Sequence, residues 1–176
     1  MSEQIQTRLV SHLGGIDVGY RLSSGAVDKS KATLVMFNPF TTNADYYLPE
    51  FKNKDLRDSL NLLAIEPLGH GRTRARNVEQ FNYWDSAFMA LQLLDTLGID
   101  ECFTLGTSQG GWIAMRMAIL APARVCNFPS FMRRGPLRLH GEYRLRVSSR
   151  LARLWTQSPP DPANSVAGTA QEHAPD

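Results

Sequence analysis

The chain has 176 residues, of which 43% are apolar and 20% charged, and its net charge is +2 at pH 7. These values are typical of a globular domain with a sizeable core. No run approaches the ~20 apolar residues of a membrane-spanning helix, and residues 1–4 do not resemble a secretory signal. We therefore expect a soluble, intracellular, cytoplasmic protein without a membrane span.

The composition changes near residue 123. Residues 1–123 carry 11 basic and 13 acidic side chains, whereas residues 124–176 carry 8 basic and 4 acidic ones. All four lysines lie at or before Lys54, while the last 53 residues hold eight arginines and six of the ten prolines. We predict one partial α/β domain over residues 1–125 and a largely irregular, arginine- and proline-rich tail over residues 126–176.

Apolar periodicity predicts alternating strands and helices in the first part. Two short runs around Gly14-Gly15 predict a hairpin of residues 8–13 and 16–22. Continuous apolar runs predict buried strands at residues 33–37, 60–65 and 102–105. Helices are predicted at residues 45–59, along the stripe of Trp84, Phe88, Leu91, Leu94 and Leu97, and at residues 110–120. This alternation is typical of a mostly parallel sheet flanked by helices.

A serine stands between the last of these strands and the last helix, in the sequence Gly106-Thr107-Ser108-Gln109-Gly110-Gly111. Gly-x-Ser-x-Gly in this position predicts a nucleophile elbow, a strained turn that exposes the serine hydroxyl while the glycines let neighbouring backbones approach. The alternative is that Ser108 is a helix N-cap whose hydroxyl binds the first amides of the helix.

Two further motifs precede the elbow in a fixed order. Asn38-Pro39-Phe40 follows the strand at 33–37, and the turn Pro67-Leu68-Gly69-His70-Gly71-Arg72-Thr73 follows the strand at 60–65. With the elbow, they make residues 1–125 resemble the α/β-hydrolase family, in which such loops follow the third, fourth and fifth strands. The wording Gly-Thr-Ser-Gln-Gly-Gly-Trp is similar to fungal intracellular members, some of them from secondary-metabolite and toxin pathways.

The resemblance implies a site and a reaction. Ser108 would attack the acyl carbonyl of a small-molecule ester or thioester, and the N–H groups of Gln109 and Phe40 would form the oxyanion hole. Pro39 has no N–H, which moves the second donor to Phe40 or Thr41. The sequence contains no phosphate-binding loop or metal-ligand cluster, so we predict no cofactor and no metal.

The resemblance also implies an acid and a histidine after the nucleophile, and here the sequence offers little. His12 lies in the predicted hairpin and His70 in a turn that is structural in the family. His140 and His173 follow Ser108 without predicted strands to carry them, and Asp161 would fit the family order only with His173. We therefore predict a catalytic set that is incomplete or impaired in this chain.

Two earlier carboxylates and the two cysteines have structural interpretations. Glu66 is predicted to accept hydrogen bonds within its turn and Asp85 to stand at a helix entry. Cys102 and Cys126 lack metal-ligand spacing and are predicted to be buried thiols.

The tail permits two interpretations. Residues 142–155 have a weak apolar stripe beside an arginine stripe, and residues 158–176 have the composition of a disordered segment. We favour a non-native continuation of a hydrolase sequence, with an incomplete sheet whose open edge permits association. The other interpretation is a basic helix that binds anionic lipid or nucleic acid. For the whole chain, the alternative to a hydrolase is a non-catalytic fragment that binds a full-length relative.

Overall fold

The computed structural model describes residues 4–126. Within this part, seven strands form one mixed sheet with helices beside it. The strands are β1 (Gln6–Val10), β2 (Ile16–Leu22), β3 (Ala32–Phe37), β4 (Leu60–Ile65), β5 (Arg74–Ala75), β6 (Cys102–Gly106) and β7 (Val125–Cys126). The helices are α1 (Leu48–Lys52), α2 (Lys54–Ser59), α3 (Tyr83–Thr96) and α4 (Gln109–Leu120), with short 3-10 helices at His12–Gly14 and Ala44–Tyr47.

The order of the strands locates a crevice at one edge of the sheet. The order is β1-β2-β4-β3-β6-β7, with β5 paired antiparallel to β2. Strands β4, β3, β6 and β7 are parallel, whereas β1 and β2 run antiparallel to their neighbours. After β3 the chain moves to β4 on one side, and then to β6 on the other. The strand order therefore reverses between β3 and β6, and the loops that follow these two strands leave in opposite directions. In such sheets, ligands bind in the crevice between the two loops.

Both faces of the central strands are buried. Val35, Phe37, Leu63 and Ile65 belong to a core cluster with residues of α3 and α4. The alternating residues of the same strands are also buried but lie outside that cluster, namely Leu34, Met36, Leu60, Leu62 and Ala64. Burial on two faces explains why β3 and β4 are continuous apolar runs in the sequence, as predicted.

The segment 45–59 is helical but not one helix. It consists of the 3-10 helix and the two short α-helices α1 and α2, and Asn53 separates the last two. The Asn53 side chain accepts a hydrogen bond from the N–H of Leu56 at 3.2 Å, and its ψ of 112° is not helical. An asparagine side chain competes with the helical backbone in this way, so the prediction of a single helix was wrong.

Helix α3 buries only the later part of the predicted stripe. Leu94 is completely buried and Leu91 and Leu97 pack partly against the core, whereas Trp84 and Phe88 are 39% and 42% exposed. The buried face also carries Ala87, Ala90 and Leu93. Because this helix has apolar residues around much of its circumference, spacing alone cannot select the face, and small alanines allow close packing.

Several predictions concern residues 127–176, which lie outside the described residues. They include the roles considered for His140, Asp161 and His173, the helical stripe at 142–155 and the irregular tail. The division of the chain near residue 125 also stays a prediction. Within residues 4–126, no helix is long and apolar enough to cross a membrane.

Candidate active site

The connection between β6 and α4 is a strained turn centred on Ser108. Ser108 has φ 53° and ψ −117°, a conformation that L-residues rarely adopt. Among the described residues, only Leu13, Thr41 and Ser108 are non-glycine residues with positive φ. Thr41 lies in the loop after β3 and Ser108 in the loop after β6, so two of the three border the crevice. Strain of this kind costs about 1–3 kcal/mol at each residue and is concentrated at functional sites.

The two glycines of the motif are required by close backbone packing. A Cβ atom at Gly106 would overlap the backbone of Gly110, and a Cβ at Gly110 would overlap the carbonyl of Phe37 at the end of β3. The turn therefore fits tightly between its own helix and the neighbouring strand. This packing is the physical reason for the pattern Gly-x-Ser-x-Gly in this chain.

The hydroxyl of Ser108 is not used for capping. Ser108 occupies the N-cap position of α4, but its side chain makes no capping hydrogen bond. The residue is exposed, and within residues 4–126 no group bonds to its hydroxyl. The interpretation of Ser108 as a side-chain cap is therefore wrong, and the side chain projects into solvent from a rigid backbone.

The loop after β3 directs its carbonyl groups inward. The Asn38 side-chain amide donates to the carbonyls of Pro39 and Thr42, each at 3.0 Å, and the Thr42 hydroxyl donates to Pro39 at 2.8 Å. The Thr41 hydroxyl donates to the carbonyl of Phe40 at 2.6 Å. Within the described residues the backbone N–H of Phe40 donates to no acceptor, so it is available to a ligand.

The N–H of Gln109 is available in the same way. Gln109 is the first residue of α4, and its backbone N–H makes no hydrogen bond to any residue between 4 and 126. The N-terminus of a helix carries a partial positive charge that favours an anion. Two unbonded N–H groups, one on each loop, thus accompany the exposed serine at the ends of β3 and β6.

His70 connects these two loops. Its Nδ1 lies 3.0 Å from the carbonyl oxygen of Leu68, and its Nε2 lies 2.9 Å from the side-chain nitrogen of Gln109. The ring of Phe40 meets the imidazole edge to face, with 5.6 Å between ring centroids. The backbone of His70 also closes the turn through a bond with Pro67 at 3.0 Å. The sequence predicted the turn but not the contacts with Phe40 and Gln109.

A buried carboxylate joins the turn after β4 to the loop after β3. Glu66 is completely buried and accepts hydrogen bonds from the N–H groups of Ala44 at 3.1 Å and Arg72 at 2.6 Å. A side chain at Gly71, where φ is +50°, would overlap this carboxylate. The predicted role of Glu66 as a turn acceptor is confirmed, and Ala44 extends that role to the adjacent loop.

The carbonyl of Phe37 lies at the base of the elbow. It accepts a hydrogen bond from the Tyr47 hydroxyl at 2.8 Å and one from the Thr107 N–H at 3.4 Å. Burial raises the pKa of Tyr47 to about 12, and hydrogen bonding with Thr107 opposes this shift to a smaller extent. The phenol therefore stays protonated at neutral pH and keeps donating to Phe37.

Neither of the two histidines in residues 4–126 is hydrogen-bonded to Ser108. His12 bonds through Nε2 to Asp85 at 3.0 Å, and His70 is bonded to Leu68 and Gln109. Asp85 also completes the capping box of α3 with Asn82, which confirms its predicted place at the helix entry. Residues 4–126 contain no group of three or more metal-ligating side chains.

An open cleft of about 510 Å³ borders the loop after β3. It is lined by Thr41, Thr42, Asn43, Tyr46 and Gly71. Ser108 is not among the lining residues of this cleft. Both cysteines lie away from the loops on β6 and β7 and are buried, as predicted, and burial raises the pKa of Cys102 to about 12.

A sequence profile of the α/β hydrolase fold matches residues 32–128, more than half of the chain and the part that contains all three loops. The chain belongs to the α/β hydrolase fold family. This finding confirms the resemblance predicted from the three motifs. The narrower resemblance to fungal toxin-pathway members stays a prediction.

Curated relatives and solved structures agree with this membership. The chain is 29% identical over 98 residues to a putative carbamate hydrolase, RutD, of Stutzerimonas stutzeri, covering 56% of this chain and 36% of that protein. It is 34% identical over 70 residues to a 2-heptyl-3-hydroxy-4-quinolone dioxygenase of Rhodococcus erythropolis, covering 39% and 25%. The chain thus spans a quarter to just over a third of the length of these relatives.

Two solved structures show the same architecture. A probable hydrolytic enzyme of Pseudomonas aeruginosa superposes with a TM-score of 0.60 at 19% identity, over 70% of this chain and 39% of that one. An N-acyl homoserine lactone degrading enzyme superposes with a TM-score of 0.57 at 25% identity, over 68% and 43%. Both structures therefore have a fold similar to that of this chain.

Proposed function

We propose that this protein is a serine hydrolase that acts by acyl transfer on an ester or thioester of a small molecule, with Ser108 as the nucleophile. The observation that carries the proposal is the strained, exposed serine followed directly by the unbonded N–H of Gln109 at the start of α4. Backbone strain that exposes a hydroxyl beside an unused donor has no structural benefit, whereas a nucleophile elbow requires both.

In the proposed reaction, the hydroxyl oxygen of Ser108 bonds to the acyl carbon while its proton passes to a base. The carbonyl oxygen becomes an oxyanion that accepts hydrogen bonds from the N–H groups of Phe40 and Gln109. Collapse of this tetrahedral species breaks the bond to the alkoxide or thiolate, which takes the proton from the base. Water then gives a proton to the base and attacks the acyl-serine ester; the bond between the acyl carbon and Oγ breaks, the carboxylic acid leaves, and the base returns the proton to the serine oxygen.

We propose that the base comes from outside residues 4–126, because neither His12 nor His70 is hydrogen-bonded to Ser108. His140 and His173 follow Ser108 in the chain and are the two histidines left to test. Loss of the base from a serine–histidine pair lowers turnover by several orders of magnitude. We therefore expect turnover to report on the base, and reactivity toward a strong electrophile to report on the elbow.

The names of related proteins support hydrolysis at an acyl carbon. They include a putative carbamate hydrolase, an N-acyl homoserine lactone degrading enzyme and an enol-lactonase. A quinolone dioxygenase among the relatives is a reminder that one fold hosts different reactions, which is why the proposal rests on Ser108. From the amino-acid sequence of the elbow motif, we further propose an intracellular role in fungal secondary metabolism.

A fluorophosphonate probe tests the proposal, because it forms a stable covalent bond with an activated serine. We expect the folded wild-type protein to be labelled and Ser108→Ala to be unlabelled. Ser24→Ala is the matched control, since Ser24 is exposed and donates only to the nearby carbonyl of Ala26; it should be labelled like wild type. A folded wild-type protein that is not labelled, or a Ser108→Ala variant that still is, would refute the assignment.

The second candidate function is non-catalytic association with a full-length relative. It is favoured by the exposure of apolar residues along α4, because Trp112 near its start and Ile119 near its end are 56% and 60% exposed. In β6, only Cys102 is buried, whereas every residue of β4 is. Co-purification with a full-length relative would support this function, and a stable, monodisperse monomer by sedimentation would count against it.

A further inference from the structure

We infer that His70 is a positioning residue: its imidazole, in the neutral form protonated at Nδ1, fixes the relative positions of Phe40 and Gln109. These are the two residues whose N–H groups are the proposed oxyanion donors. The inference therefore rests on the proposed function. It goes beyond that function because it gives a role to a histidine that sequence analysis placed in a structural turn.

The hydrogen bonds of His70 determine its tautomer. Nδ1 lies 3.0 Å from the carbonyl oxygen of Leu68, which can only accept, so Nδ1 must carry the proton. Nε2 then has a lone pair and accepts from the side-chain amide of Gln109 at 2.9 Å. The Leu68 peptide is held in turn, because its N–H donates to the Ser86 hydroxyl at 3.2 Å. A directed chain of hydrogen bonds thus links Gln109 to His70 and His70 to the Leu68 carbonyl.

The same imidazole supports the loop after β3. The Phe40 ring packs against it with an angle of 67° between the ring planes, an edge-to-face contact of the favourable kind. Phe40 is otherwise 63% exposed, and the next residue, Thr41, has φ 63°. A strained loop needs support from outside itself, and His70 is an outside contact that also touches the elbow.

This arrangement matters for the chemical step more than for encounter with the substrate. Oxyanion donors stabilise the transition state only when both lie within about 2.7–3.1 Å of the developing negative charge. The packing of Gly106 and Gly110 holds the Gln109 N–H, so removal of the imidazole leaves both N–H groups present but releases the Phe40 loop from its link to Gln109. We therefore expect slower formation of the covalent bond, with little change in the affinity of the first complex.

Two substitutions of His70 separate its two hydrogen bonds. His70→Gln can place an amide oxygen near the position of Nε2, which preserves an acceptor for Gln109. His70→Asn can keep a donor near Nδ1 for the Leu68 carbonyl but does not reach Gln109. The first-order rate of fluorophosphonate labelling at saturating probe should fall about 10- to 100-fold in His70→Asn, and His70→Gln should restore much of it. The half-saturating probe concentration should change by less than about threefold.

Two further variants make the result specific. Gln109→Leu removes the side chain to which His70 bonds. If the two residues act through that bond, His70→Asn should slow labelling less in the Gln109→Leu background than in the wild-type background. His12→Gln is the control, because His12 is also hydrogen-bonded but to Asp85 in the N-terminal part; its labelling rate should equal that of wild type. Equal rates for wild type and a folded His70→Asn, or a loss that His70→Gln fails to restore, would overturn the inference.

Nuclear magnetic resonance of ¹⁵N-histidine-labelled protein tests the same inference without any reaction. We expect the neutral His70 ring to carry its proton on Nδ1, and the Nε2 resonance to shift in Gln109→Leu. A proton on Nε2, or an Nε2 signal that ignores Gln109→Leu, would refute the arrangement. If wild type resists labelling while these signals appear as expected, the proposed function fails and the arrangement of His70 and Gln109 stands.

Discussion

The elbow at Ser108 and the turn at residues 69–73 both follow parallel strands of the sheet and both depend on glycine, but the space left by glycine is filled differently. At the elbow, backbone fills it, since Gly106 packs on Gly110 and Gly110 on the Phe37 carbonyl. At the turn, a carboxylate fills it, because Glu66 lies where a side chain at Gly71 would be.

The outcome for polar groups is opposite in the two places. The Glu66 carboxylate accepts from the N–H groups of Ala44 and Arg72, so this buried side chain is used inside the protein. At the elbow, the Ser108 hydroxyl and the N–H of Gln109 have no partner within the described residues, although the backbone there is the more strained. A strained loop with an unbonded hydroxyl and an unbonded donor is suited to a ligand, whereas a turn whose carboxylate bonds the adjacent loop is suited to support.

Gly110→Ala should have the largest effect, because it places a Cβ against backbone that cannot move aside. We expect a loss of more than about 3 kcal/mol in the free energy of unfolding, measured by urea denaturation, and loss of fluorophosphonate labelling. Gly25→Ala is the matched control, since no atom lies within 4 Å of a Cβ at that position. A Gly110→Ala variant as stable as wild type would mean that the elbow is not packed as described.

Glu66→Leu should have the next largest effect. It removes the acceptor of two backbone N–H groups, one of them at the buried Ala44, and an unsatisfied buried donor costs about 1–3 kcal/mol. We expect a loss of about 3 kcal/mol, and a smaller loss in Glu66→Gln, which keeps one oxygen. The exposed Glu79→Gln serves as the control in the same urea titrations. Unchanged stability in Glu66→Leu would contradict a supporting role for this turn.

Tyr47→Phe should have the smallest effect at neutral pH, about 1–2 kcal/mol, because it removes one hydrogen bond to the Phe37 carbonyl. The effect should decrease at alkaline pH. Burial raises the pKa of Tyr47 from 10.0 to about 12, so the stability due to this shift is complete below pH 10 and is lost as the pH rises toward 12.

Urea denaturation at pH 8 and pH 11 measures this change. Wild type should lose up to about 1.4 kcal/mol per pH unit more than Tyr47→Phe above pH 10. Tyr46→Phe is the control, because Tyr46 is 45% exposed, and it should follow wild type. If the free energies of unfolding of wild type and Tyr47→Phe fell equally between pH 8 and pH 11, the pKa of Tyr47 would not be raised by burial in the folded protein.

The sequence was sufficient for strands β3, β4 and β6 and for the position of the elbow, whereas β1 lies at Gln6–Val10 and not at the predicted residues 8–13. Apolar runs are unambiguous when both sheet faces are buried, as in β3 and β4, and the glycines of the elbow mark a backbone contact that no other residue permits. The strand β5 was missed because it pairs through only two residues, Arg74 and Ala75.

The start of the buried face of α3 and the contacts of His70 could not be predicted for physical reasons. Trp84 and Phe88 are larger than Ala87 and Ala90, so a pattern weighted by size groups two exposed residues with the buried Leu94. His70 meets Gln109 across 39 positions, through loops whose separation is set by the order of the strands. A contact of this kind depends on the position of β3 between β4 and β6 in the sheet. The local sequence around His70 or Gln109 does not predict that strand order.

The carbonyl at the end of β3 has a consequence for anyone who wishes to alter the reactivity of this protein. The Phe37 carbonyl accepts hydrogen bonds from Tyr47 and Thr107 and packs against Gly110. The position of the serine is therefore set in part by the neighbouring strand β3. Substitutions that shift β3 by a fraction of an ångström would retune the nucleophile while leaving every residue of the elbow intact. Directed evolution that varies only the loops would not sample these substitutions in β3.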